Sequence, residues 1–397
     1  MKKIMILGGS ILQLPGIEQA KKMGLDVIVV DMNPNAIGFD VPGVKKEVIS
    51  TIDIMAVMDA AKRHNIDGIM TLASDMPMRT IAYVAKEMNL VGIDEETALN
   101  ATNKAVMRQC LNENNVPVPR FYKVSSEEQL LEVYKEFSDE IIIKPADNSG
   151  SRGVFKLAKN PSEDELVQAF RYSKESSRCG DVVVEEFMRG SEISVESVTI
   201  NGECHVIQIT DKLTTGAPFF VEMGHSQPTK FSPDMQEKIK YVVKMANKAI
   251  GIVNGPAHTE IMITSEGPKI VELGARLGGD NITTHLVPLS TGVNMVELCI
   301  QIALGMEVDV TKKFDKGSAI RYLSTDEGVI KSISGLEEVR EAENVVQVSI
   351  VHGVGEKVGQ IKSSVDRVGF VIAQAETAEA AVASCEKALE KIKVEFE

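Results

Sequence analysis

The stretch 256–279, PAHTEIMITSEGPKIVELGARLGG, constrains the chain most, because its pattern reads as a local structure that can set two like charges face to face. Apolar β-formers at 260–263 and 269–273 flank the turn signal Thr264-Ser265-Glu266-Gly267-Pro268, which reads as a β-hairpin. With Glu266 at the centre of the turn, Ile261 faces Val271, Met262 faces Ile270 and Glu260 faces Glu272. Directly opposed side chains stand about 4.5–5.5 Å apart at Cβ, and like charges there repel. A hard divalent cation offsets that repulsion, since Mg²⁺ takes oxygen ligands and uses one or two carboxylates together with substrate phosphates. In a register one residue different, the two glutamates lie on opposite faces and one is a solvated surface charge.

The remainder of the chain must supply what such a platform needs. Its 397 residues exceed one ordinary core, so two or three domains are expected. With 43 basic against 57 acidic residues, the net charge of −14 argues against a nucleic-acid-binding surface. Cys110, Cys179, Cys204, Cys299 and Cys385 are scattered, odd in number and without CxxC spacing, which points to a reducing, cytoplasmic setting. No zinc spacing involves the histidines, and His258 beside Glu260 reads as supporting rather than ligating. The start, MKKIMILGGS, lacks the cleavage site of a secretory signal, and no stretch approaches a membrane span.

Along the chain, 2–7, 15–23 and 25–30 read as strand, helix and strand. Asp31 lies where a ribose-binding acid would sit, but Ser10 and Gln13 stand where a dinucleotide fingerprint needs glycine, so NAD is disfavoured. Strand 66–71 and a helix starting at Ser74-Asp75 with Pro77 complete this unit. A helix at 103–114 capped by Thr102 carries Lys104 in its first turn, against the helix dipole, so Lys104 is either solvated or held by an anion. Ser125-x-x-Glu128 and Ser162-x-x-Glu165 are capping boxes. Between them strand 140–144 delivers Lys144 into the small, polar loop 145–153, suited to wrapping phosphate oxygens. Strand 181–184 exits into Glu185-Glu186-Phe187-Met188; a hairpin turning at Asn201-Gly202 then sets Glu192 and Lys212 at the same end. Residues 216–229 read as a loop, 232–250 as an amphipathic helix ended by Gly251, and 293–304 as a helix. Beyond 308, short strands at 318–323, 345–351 and 369–374 and a helix at 377–394 carry no catalytic constellation.

These pieces, in this order, resemble the ATP-grasp superfamily over about 103–304: Lys104 in TNKAVMRQCL, Lys144 in IIIKPADNSGSRGV, Glu185 through Met188 and Glu192 in VVVEEFMRGSE, then Lys212, Glu260 and Glu272. The resemblance implies an α/β protein with a Rossmann-like N-terminal domain at 1–95, an ATP-grasp domain at 96–306 with a lid at about 116–188, and a small α+β C-terminal domain at 307–397. It further implies ATP and Mg²⁺ (or Mn²⁺) as cofactors. Lys104 and Lys144 would meet the nucleotide phosphates under a mobile loop that includes Ser149, Gly150, Ser151 and Gly153. Glu185, Glu186, Phe187 and Met188 would form the adenine hinge, with the acid on the exocyclic amine; Glu192 would hold the ribose, Lys212 the terminal phosphates, and Glu260 and Glu272 the metal. The family commonly has Glu-x-Asn-Pro-Arg where this chain has Glu272-Leu273-Gly274-Ala275-Arg276, so the amide ligand is missing. ELGAR followed by LGGD is most similar to carboxylate–amine ligases of the L-amino-acid ligase type, in which Arg276 would clamp the substrate carboxylate or its acyl phosphate; a structural Arg–carboxylate pair is the alternative for Arg276. That resemblance implies a cytoplasmic homodimer that joins a small carboxylate and an amine, both amino acids, without nucleic acid or membrane. Carboxylating or purine-pathway ATP-grasp ligases, a non-catalytic ATP sensor and a nucleotide-binding oxidoreductase are the alternatives.

Overall fold

The computed structural model describes residues 1–148, 152–217 and 219–397. Strands Lys3–Leu7, Asp26–Asp31, Lys45–Val48 and Gly68–Met70 form a parallel sheet with the first strand between the second and fourth. Ile4 to Leu7 and Val27 to Val30 are fully buried, as expected for parallel strands covered on both faces. The third strand carries KKEV at a solvated edge and gives no hydrophobic signal. Asp31 accepts hydrogen bonds from the amides of Gly9 (2.7 Å) and Asn33 (2.8 Å), so this acid closes its own turn.

The segment expected to be a lid forms a four-stranded sheet ordered Phe121–Val124, Val182–Glu186, Ile141–Pro145, Phe155–Leu157, with helices Glu127–Tyr134 and Glu163–Glu175 packed on it. Ser162 forms the expected capping box with Glu165. The other helix starts one residue later than its sequence signal: Ser126 caps it by accepting from Gln129 N, while Ser125 donates to Asp181. A similar shift affects helix Lys104–Glu113, whose cap is Asn103, accepting from the amides of Ala105 and Val106; Thr102 ends the preceding helix Glu95–Thr102.

The largest sheet has eight strands, in the order Gly267–Gly274, Gly255–Thr264, Ser191–Ile200, Glu203–Thr214, Glu222–Gln227, Gly317–Tyr322, Gly369–Ala375, Val345–Ile350. Asn201 and Gly202, at φ of 50° and 83°, make the expected tight turn. Strand Glu222–Gln227 lies inside the segment read as a loop; EMGHSQ has no apolar alternation, and pairing on both sides holds it, with His225 opposite Lys212 and Ile320. Through that strand the C-terminal segment continues the same sheet. Its last helix, Ala378–Leu389, is shorter than read, and the chain returns as strand Lys393–Phe396 in a small sheet with Gly328–Ser334 and Lys357–Val358. Helix Pro233–Ile250, capped by Ser232 and ended by Gly251 at φ 99°, packs its buried stripe on the large sheet. Among the described residues no single helix is long and apolar enough to cross a membrane.

Candidate active site

The hairpin reaches its carboxylate pair by an unexpected route. A two-residue turn pairs Thr264 with Gly267, so Ile261 faces Ile270 and Met262 faces Lys269, one residue away from the expected register. A β-bulge then takes up Val271, and Glu260 faces Glu272 after all. Each carboxylate has its own lysine. Lys104 Nζ donates to Glu272 Oε1 at 2.6 Å and to the Asn148 carbonyl at 2.7 Å, which identifies the anion that holds this lysine in the first helical turn. Lys212 Nζ, 2% exposed at the side chain, donates to Glu192 Oε1 (2.7 Å) and Glu260 Oε1 (2.8 Å) and lies 3.9 Å from Glu222 Oε1. Burial alone would lower the Lys212 pKa, but Glu260, Glu192 and Glu222 hold it well above the usual lysine range. Burial likewise opposes ionisation of Glu260, and Lys212 and His258 hold its carboxyl well below the usual range.

Behind Glu260, His258 Nδ1 lies 2.5 Å from Glu196 Oε1 and its Nε2 3.6 Å from Glu260 Oε1. Burial would lower the His258 pKa, but Glu196 raises it to about 9, so the ring is an imidazolium at neutral pH. Gly278 is bare above this pair, where a Cβ would come within 2.5 Å of His258 Nδ1.

The second centre lies on the lid. Lys144 Nζ is 2.7 Å from Glu185 Oε2, and Arg108 Nε donates to Glu185 Oε1 at 2.6 Å, with all three side chains buried. Burial disfavours the Glu185 anion, but Arg108 and Lys144 hold its pKa down at about 2; burial also lowers that of Lys144. Both Glu185 oxygens are thus engaged by cations, and its acid points at Lys144 rather than standing open at the hinge. Beside it Glu186 accepts from Lys269 (3.1 Å), and the Phe187 ring lies 3.9 Å beneath Lys156 Nζ and 6.0 Å from Phe220. Met188 is half-buried. Gly153, at φ 77°, accepts from Ser173 Oγ at 2.6 Å; Ser149, Gly150 and Ser151 lie outside the described residues.

A third contact comes from the N-terminal sheet. A parallel bridge between Leu72 and Leu277 brings Asp75 beside Arg276, and the two form a fork, Nε to Oδ1 at 2.9 Å and Nη2 to Oδ2 at 3.1 Å. The same pair explains the missing amide. A Cβ at Gly274 would sit 2.9 Å from Asp75 Oδ1 and 3.1 Å from Arg276 Cζ, so a side chain there would have to displace the fork. Asp75 read in sequence as a helix start, although the helix begins only at Met78; nothing local marks its partner two hundred residues away. Arg108 was equally unmarked. A third unmarked pair joins the domains, Arg367 forking onto Asp280 at 2.7 Å twice, with Tyr322 3.6 Å beneath the guanidinium and His225 Nε2 3.3 Å from Asp280.

Of these groups, Asp75, Lys104 and Glu272 border a cavity of about 390 Å³, lined also by Asp147, Asn148 and Arg178 among others. A larger cavity of about 910 Å³ behind helix Lys104–Glu113 touches none of the expected site residues. Among the described residues no three His, Cys, Asp or Glu side chains converge on one point. Two opposed carboxylates nevertheless fit the donor chemistry of a hard cation that completes its shell with water and phosphate oxygens.

Comparison with known proteins gives two family matches: the ATP-grasp domain over residues 137–284 and the L-amino acid ligase C-terminal domain 2 over residues 321–397. Alanine–anticapsin ligase of Bacillus amyloliquefaciens is 25% identical over 290 residues; the match covers 68% of this chain but only 59% of that ligase, under two thirds of its length. The crystal structure of L-amino acid ligase from Bacillus licheniformis superposes with a TM-score of 0.87 at 25% identity, covering 100% of this chain and 99% of that one. Phosphoribosylglycinamide synthetase from Anaerococcus prevotii shares the fold, at TM-score 0.81, 22% identity and full coverage of both chains.

Proposed function

We propose that this chain, which carries an ATP-grasp domain over residues 137–284, is an ATP-grasp ligase that joins a carboxylate to an amine, both amino acids, through an acyl phosphate. The observation that supports this reading is the convergence on Glu260 and Glu272 of Lys104, Lys212 and the Arg276–Asp75 fork, with Lys144 paired to Glu185 on the lid. Phosphoryl transfer asks a protein chiefly for positioning and charge neutralisation, and this set supplies both. Lys104 and Lys144 bind nucleotide phosphate oxygens, Lys212 stands toward the terminal phosphate, and Glu192 takes the ribose. Glu260 and Glu272 would hold Mg²⁺, which neutralises charge on the transferring phosphoryl group. A carboxylate oxygen attacks the γ-phosphorus and ADP leaves; the amine then attacks the acyl carbon, phosphate leaves with the bonding pair, and the nitrogen loses a proton. Arg276 orients the carboxylate and exchanges its contact with Asp75 for one with substrate.

The test is a screen of amino-acid pairs for ATP-dependent phosphate release, with the condensed product identified by mass. Phosphate release that needs both amino acids, with one ADP per product, supports the reading. Turnover with a phosphoribosyl amine and glycine but with no amino-acid pair would move the chain to the purine-type ligases.

A further inference from the structure

One turn after Lys104 on the same helix, Arg108 is 1% exposed and is the largest fully buried side chain. Its guanidinium reaches two different sheets. Nε and Nη2 donate to Glu185 Oε1 (2.6 Å) and Oε2 (3.3 Å) on the lid, and Nη2 also donates to the Val271 carbonyl at 2.6 Å on the large sheet. Both contacts matter for what lies beyond them. Glu185 is the partner of Lys144, and Val271 is the residue without a partner across the hairpin, whose insertion brings Glu272 opposite Glu260. Strand Gly267–Gly274 is also the edge of its sheet, so no further strand fixes the bulge; the Ile270 amide donates instead to the Pro117 carbonyl at 2.9 Å.

We propose that Arg108 is a positioning residue for both halves of the site: through Glu185 it leaves Lys144 with an uncompensated positive charge for nucleotide phosphate, and through Val271 it fixes the bulge that aims Glu272 at the metal. The inference rests on the ATP-grasp reading above. Arg108, Glu185 and Lys144 together carry one net positive charge. Without Arg108, Glu185 and Lys144 cancel, and a phosphate would have to compete with a closed buried pair. The fork also explains why arginine stands here: one planar guanidinium meets both Glu185 oxygens and the Val271 carbonyl together, a three-contact geometry that a lysine ammonium, a single point donor, does not reproduce.

Two substitutions separate the two roles. Arg108→Met removes both the charge and the clasp, while Arg108→Lys keeps the charge beside Glu185 and gives up the Val271 contact. Binding of a fluorescent ATP analogue is measured with and without Mg²⁺, and amide exchange at Ile270, Val271 and Glu272 is measured in the ligand-free protein. Arg108→Met is expected to weaken metal-free nucleotide binding on the order of tenfold. Arg108→Lys is expected to bind metal-free nucleotide within about twofold of the parent. The tightening that Mg²⁺ adds should fall on the order of tenfold, the usual scale for losing a group that orients a metal ligand. Exchange at Val271 and Glu272 should quicken in both variants. A purely structural role would lower the unfolding midpoint of both variants without this split between metal-free and metal-dependent binding. Parent-like binding in Arg108→Met, an unchanged Mg²⁺ increment in Arg108→Lys, or unchanged exchange at Val271 and Glu272 would each overturn the inference. If the parent itself binds no nucleotide, the ATP-grasp reading fails, and the exchange measurement still decides whether Arg108 holds the bulge.

Discussion

The buried His258–Glu196 pair makes stability depend on pH in a window where few other groups act. The His258 pKa rises from 6.5 to about 9 on folding, against burial and because of Glu196 at 2.5 Å. A histidine with a raised folded pKa contributes its full stability below the unfolded value and loses it as pH climbs through the folded value. The contribution is therefore complete below pH 6.5 and gone above about pH 9, and the interval between those values is worth at most about 3 kcal/mol. His258→Gln keeps a hydrogen-bond donor near Glu196 but cannot take a proton, so it removes the titration. Glu196 is fully buried, and its Oε2 has no hydrogen-bond partner among the described residues. Urea unfolding of the ligand-free protein, followed by far-UV circular dichroism between pH 6 and pH 9.5, reads the difference. The parent should exceed the variant most at the acid end, with the advantage shrinking by about 3 kcal/mol toward the alkaline end. An advantage constant to within about 0.5 kcal/mol across that range would show that His258 is not charged in the fold, and would refute the reasoning.

Glu272→Gln should abolish turnover and also lower ligand-free stability, by about 1 kcal/mol, because Lys104 loses a partially exposed charge partner at 2.6 Å; a fully active variant would remove Glu272 from the metal site. Gly274→Asn should cost ~2 kcal/mol or more by driving Asp75 away from Arg276, and should cost little further in an Asp75→Gly background, where the fork is already lost; melting curves in which the two losses simply add would mean that the crowding lies elsewhere. Arg367→Gln leaves Asp280 without its guanidinium fork, with the His225 ring 3.3 Å away as a remaining contact, so unfolding free energy should drop by about 3 kcal/mol, and a change under about 1 kcal/mol would show that the fork adds little.

What could be read in the residues followed a local rule. The Asn201-Gly202 turn, the Ser162 capping box, the Ser232 to Gly251 helix and the alternation of the hairpin that carries Glu260 and Glu272 are all fixed by neighbours within a few positions. The opposition of Glu260 and Glu272 was legible too, although the expected register at the tip was one residue out; the repulsion foreseen there is met by a separate lysine on each carboxylate. Strand Glu222–Gln227 was invisible because partners on both sides, rather than its own pattern, make it a strand. The Val271 carbonyl at the bulge accepts from Arg108, on a helix far away in sequence, and the bare position at Gly274 faces the carboxylate of Asp75, equally remote. Sequence alone thus determined which residues could carry phosphate and metal chemistry, since charge type and strand or helix period are local properties. Only the tertiary structure decided which cation faces which carboxylate, because Arg108, Asp75 and Arg367 lie 77, 201 and 87 positions from the acids or arginine they pair with, and no short-range rule reaches across those distances.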